Sequence, residues 1–118
     1  MNPIIINNEL SGSVHTTYDN GSSLDIDGAN GNYFIIEAAA SGNITHSNIA
    51  EGVVYTLQIH NVKDPAADIV ITYPTAAGNI RSTPTRTIPT GKYLNIEVVK
   101  IGTTYVWSDS VIKEITVW

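Results

Sequence analysis

Asp25, Asp27 and Asn30 sit close together in DIDGANGN (25–32), and oxygens at such spacings can ligate a hard cation such as calcium. The match does not extend. Counting Asp25 as position one, position five is Ala29 and position six is Asn30 where a glycine is needed. Position twelve is Ile36 where a glutamate would close the site. A turn whose Asp and Asn cap their own backbone explains the same residues. His15, His46 and His60 are the only imidazoles, none at i, i+2 or i, i+4 from another, and there is no cysteine to complete a zinc site. No metal and no other cofactor is expected. Gly-x-Ser-x-Gly is absent and no carboxylate pair stands in a catalytic context, so the chain is read as non-enzymatic. Asn20-Gly-Ser22 and Asn43-Ile-Thr45 fit the glycosylation pattern, which arises easily in a chain with 13 Thr, 11 Asn and 9 Ser.

The aromatic residues are more informative. In GTTYVWSDS (102–110), Tyr105 and Trp107 alternate with Thr104, Val106 and Ser108, so both rings project from one face of a strand. Together with Tyr93 they are candidates for a ligand platform on which a sugar ring could stack. The competing expectation, and the favoured one, is that two large rings fill one end of a core and keep their polar atoms at its rim. Trp118, the last residue, either pairs within the sheet or packs against a neighbouring subunit.

These rings need strands to hold them. Ile and Val number 27 against 4 Leu, a bias toward β-branched side chains that suits a pleated surface. VVYTLQIH (53–60) alternates Tyr55, Leu57 and Ile59 against Thr56, Gln58 and His60; KYLNIEVVKI (92–101) alternates Leu94, Ile96 and Val98 against Tyr93, Asn95 and Glu97. DIVITYP (68–74) is apolar on both faces and reads as a central strand. Asn20-Gly21 predicts a tight hairpin, DGANGN (27–32) a second tight turn, and Pro65 and Gly102 two further reversals. About nine short strands follow, near 3–7, 11–18, 22–26, 33–38, 53–61, 68–73, 92–101, 103–109 and 111–118. The expected fold is all-β, an antiparallel β-sandwich of jelly-roll or Ig-like type, in a single domain over 1–118. No internal repeat is read. AAASGNITHSNIAEG (38–52) is the one place where a helical turn could intrude. TAAGNIRSTPTRTIPTG (75–91), with Pro84 and Pro89, is read as a loop or edge strand that could be cut back without loss of the fold.

Charged residues make up 14% of the chain, well below the ~25% usual in soluble domains, so neutral polar groups must cover the surface. With a net charge of −5 and six Lys plus Arg, no basic stripe exists to neutralise phosphates. Nucleic acid and membrane are not expected partners. The start MNPIIINNELSGS lacks a basic region and an apolar run long enough for a signal or a span. The absence of cysteine fits synthesis in a reducing cytoplasm.

From Gly52 to Val111 the run GVVYTLQIHNV, DIVITYP, an irregular Pro/Thr-rich stretch, and then YLNIEVVKIGTTYVWSDS resembles a small β-domain of tailed-bacteriophage virion proteins, of head-fibre, tail-fibre or decoration type. The resemblance covers about half the chain and rests on core positions, so it implies no catalytic residue. It implies a structural virion protein, and the lack of a stalk or coiled coil points to a capsid decoration or auxiliary protein on the outside of a phage head. Other virion proteins of capsid or tail are the implied partners, and a homotrimer is implied by analogy. Arg81, Arg86 and Trp118 are the candidate partner contacts, in or near the 75–91 segment and the terminal strands. The rival expectation is a tail-fibre, receptor-binding or carbohydrate-binding module that takes a host surface glycan on Tyr93, Tyr105 and Trp107.

Overall fold

The computed structural model describes residues 14–19, 23–110 and 112–114. The strand expected near 3–7 and the candidate contact Trp118 lie outside them. The described residues form eleven strands: β1 (Val14–Asp19), β2 (Ser23–Asp27), β3 (Tyr33–Ala38), β4 (Gly42–Ser47), β5 (Val54–Asn61), β6 (Ile69–Thr72), β7 (Asn79–Ile80), β8 (Thr85–Ile88), β9 (Lys92–Ile101), β10 (Thr104–Asp109) and β11 (Lys113–Glu114). A single 3₁₀ turn, Gly28–Asn30, follows β2.

The fold is all-β, in two sheets. Sheet A has the order β1-β3-β5-β9-β10-β7, with β11 pairing β9; sheet B has the order β2-β4-β6-β8. Successive strands from β1 to β6 alternate between the sheets, and β1, β3 and β5 are parallel, as are β2, β4 and β6. The chain therefore climbs in stacked two-strand coils, as a β-solenoid does. Val14 aligns with Tyr33 and Ser23 with Asn43, offsets of 19 and 20 residues. Only later do the antiparallel pairs β5/β9, β9/β10 and β6/β8 appear.

This corrects the expectation of an antiparallel jelly-roll or Ig-like sandwich with about nine strands: both sheets are mixed. Neither of two expected hairpins joins strands that pair with each other. β1 and β2, on either side of Asn20-Gly21, belong to different sheets, and DGANGN carries the chain from β2 in sheet B to β3 in sheet A. Gly102, with φ of 62°, does close a hairpin, since Ile101 pairs with Thr104. Positive φ at the first of two turn residues is what a type II′ hairpin requires.

The alternation does the packing. Tyr55, Leu57 and Ile59 of β5, and Leu94, Ile96 and Val98 of β9, are buried between the sheets. They face Leu24 and Ile26 of β2, Ile44 of β4, and Ile69, Ile71 and Tyr73 on the β6 side. Each fully buried aliphatic side chain contributes roughly 1.5–3 kcal/mol. β6 is central in sheet B as expected, although Val70 is exposed on its outer face.

One segment departs from the sequence reading, and a second fits its edge-strand alternative but not its dispensability. The stretch 38–52 holds a strand, β4, and no helical turn. The stretch 75–91 holds β7 and β8, with Ile88 fully buried and Pro84 O accepting from Tyr73 N. It is part of the fold and not a removable loop.

Candidate functional site

Tyr105 and Trp107 project inward from β10 at the mouth between the sheets. Trp107 is 4% exposed, and its Nε1 donates to Asn79 Oδ1 over 2.8 Å. The ring of Tyr73 lies 5.8 Å from it. Tyr105 is half-buried at the rim. The ring centroid of His46, carried by β4 of the opposite sheet, is 4.3 Å from that of Tyr105 and 5.8 Å from that of Trp107, so three rings close this end of the core. Lys100 Nζ stands 5.6 Å from the Tyr105 centroid. Burial lowers the His46 pKa below its ordinary value; a hydrogen bond with the Asn79 side chain and the charge of Asp25 work the other way, while Lys100 adds to the lowering. The imidazole is neutral at neutral pH.

Beside these rings is an open cleft of about 520 Å³, bounded by β4, the end of β6, the connection to β7, and β10. That volume lies in the range of small-molecule sites. Two of its polar side chains are engaged within the protein. Asn79 accepts from Trp107 and donates to Ala76 O, and Thr45 Oγ1 donates to Asp25 Oδ1.

Below the cleft, Tyr73 Oη donates to Asp109 Oδ2 over 2.7 Å, and Arg86 Nε is 3.6 Å from the same oxygen. Burial, then the hydrogen bond and charge of Asp109, push the Tyr73 phenol far above its ordinary value, so it stays a donor. This triad ties β8 and the end of β6 to β10, across the two sheets.

The residues singled out in the sequence therefore separate. Arg86 is a third exposed and ion-paired within the domain. Arg81, just after β7, directs Nη1 at Asn79 O over 3.4 Å, and its buried Nε has no partner among the described residues. Tyr93 does not share a surface with Tyr105 and Trp107. Trp107 aligns with Val98, one of the inward residues of β9, whereas Tyr93 alternates outward beside inward Leu94. It stands on the outer face of sheet A, its ring 5.0 Å from that of His60 directly across in β5. DIDGANGN is a self-capped corner: Asp27 Oδ1 accepts from Ala29 N and from Asn48 Nδ2. Among the described residues no group of three or more His, Asp or Glu could hold a metal ion, and no helix is long and apolar enough to cross a membrane.

No known family model, curated protein or solved structure matches the chain.

Proposed function

We propose that this chain is a non-enzymatic structural protein of a phage particle, a decoration or auxiliary protein held on the outside of the head by protein–protein contact. The observation that supports this reading is the role of the 75–91 segment, which supplies an outer strand to each sheet. Among the described residues β7 is the last strand in the order of sheet A and β8 the last in that of sheet B. Outer strands present unpaired backbone donors and acceptors to which a partner's strand can add. Arg81 and Arg86 lie in this segment, and the neutral Thr- and Asn-rich composition suits a surface whose contacts must persist as salt varies. The resemblance of residues 52–111 to phage fibre and head-fibre domains points the same way.

Immunogold electron microscopy of purified phage particles, with an antibody against this chain, tests the reading. Label spread over the heads is the expected result; no label on any particle removes it.

A second reading, a receptor- or glycan-binding module, is favoured by the aromatic and amide side chains displayed at the cleft and on the outer face of sheet A. Label confined to the tail tip would move the assignment to this reading.

A further inference from the structure

Three side chains on the outer face of sheet A, His60, Gln58 and Tyr33, are joined by hydrogen bonds that run in one direction. Gln58 Nε2 donates to Tyr33 Oη over 3.0 Å, and Gln58 Oε1 lies 3.1 Å from His60 Nε2. An amide oxygen only accepts, so Nε2 carries the proton of the neutral His60 ring and Nδ1 is left as an acceptor. Burial, opposed by the charge of Glu37, lowers the His60 pKa and keeps the ring neutral near pH 7. Tyr33 accepts from Gln58, which leaves its own proton for an outside acceptor. Directly across from His60 stands Tyr93. The set crosses three adjacent strands, β3, β5 and β9, a width of about 10 Å at the usual strand spacing.

The cleft is differently disposed. Asn79 uses both ends of its amide internally, Trp107 is buried, and the Tyr105 ring has His46 on it and Lys100 beside it. The outer face instead keeps a donor, an acceptor and an aromatic ledge unspent. Its charge also selects. Glu37 and Glu97 are exposed there. An anionic ligand is disfavoured.

We propose that this face binds a neutral oligosaccharide, with the C–H face of a sugar ring on Tyr93 and His60 and ring hydroxyls bonded to Tyr33 Oη, Gln58 and His60 Nδ1. The inference rests on the glycan-binding reading above and deepens it by naming the surface. The site differs from the one the sequence pointed to, since of Tyr93, Tyr105 and Trp107 only Tyr93 belongs to it.

An array of immobilised neutral oligosaccharides, probed with the labelled full chain, tests both levels. Tyr93→Ala and Gln58→Ala are each expected to weaken binding by about tenfold or more, while Tyr105→Ala stays within about twofold. Tyr93→Leu, which keeps apolar cover on the sheet, repeats the test if Tyr93→Ala unfolds. Retained binding in the Tyr93 and Gln58 variants with loss in Tyr105→Ala would overturn this site and leave the glycan reading standing at the cleft. No binding of the wild-type chain to any neutral glycan would remove both.

Discussion

The indole N–H of Trp107 and the side-chain oxygen of Asn79, 2.8 Å apart, join β10 to the short parallel strand β7. Asn79 is thus a second anchor for a two-residue strand that backbone pairing alone would hold weakly. Trp107→Ala is expected to lower stability by about 3–5 kcal/mol, the range for truncating a buried aromatic ring. Asn79→Ala leaves the indole N–H unpaired in a nearly buried setting, an expected loss of about 1–3 kcal/mol. Urea unfolding at a constant m-value checks both. A Trp107→Ala protein as stable as the wild type would contradict the core role.

Asn61 is the one buried polar residue in the described core, and its bonds show why an amide is needed. Nδ2 donates to Ala67 O and Ile88 O, each at 2.9 Å, and Oδ1 accepts from Lys63 N. Asn61→Asp would aim a carboxylate at two carbonyl oxygens. The folded state would hold that carboxyl protonated, raising its pKa above the unfolded value of about 3.9. The stability of the variant should therefore be greatest in acid and fall as pH rises through the folded pKa. Thermal melts from pH 3.5 to 7, with wild type as the reference, should show the gap widening upward; a constant gap would sink the argument.

Gly28 marks where successive coils touch. A Cβ there would run into the carbonyl oxygen of Asn48, which sits at φ of 55° in the next corner of the stack. The obstruction is backbone and cannot swing aside. Gly28→Ala is expected to cost about 1–3 kcal/mol, whereas Gly91→Ala, with no atom near its Cβ but φ of 73°, isolates the conformational penalty alone. Chemical unfolding of the pair separates overlap from φ strain.

Much of this architecture was legible where side chains alternate cleanly. The inward sets of β5 and β9 read correctly because Tyr55, Leu57, Ile59, Leu94, Ile96 and Val98 leave only one face that can be buried. The limits of β3 and β9 matched the expected 33–38 and 92–101. Strand direction was not legible. Local turn chemistry at Asn20-Gly21 and in DGANGN is the same for a hairpin as for a corner, and the coil offset grows from 19 at Val14/Tyr33 to 23 at Tyr33/Thr56, so no sequence period forms. β4 was missed because GNITHS has one large apolar residue, Ile44, between Gly, Asn and Ser. The chain Tyr33–Gln58–His60 was missed because each residue is unremarkable alone and only cross-strand register brings them together. The pairing of His46 with Tyr105 was invisible for the same reason, as it joins different sheets.

That His46 ring gives the domain a pH dependence of definite sign. It is packed on Tyr105 and Trp107, with Asp25 and Lys100 the charged groups acting on it, and burial holds its pKa below the ordinary 6.5. Above that ordinary value neither the folded nor the unfolded chain protonates this site, and its contribution to stability is complete. As pH falls below it the unfolded chain takes up a proton that the folded ring still refuses, so stability declines until the lowered folded pKa is reached. His60, also lowered, adds a second contribution of the same sign. The melting temperature should therefore drop between pH 7.5 and 5.5. His46→Gln and His60→Gln should each flatten part of that slope, whatever they do to stability at pH 7.5. A double variant that keeps the full wild-type slope would show that the dependence lies with other groups.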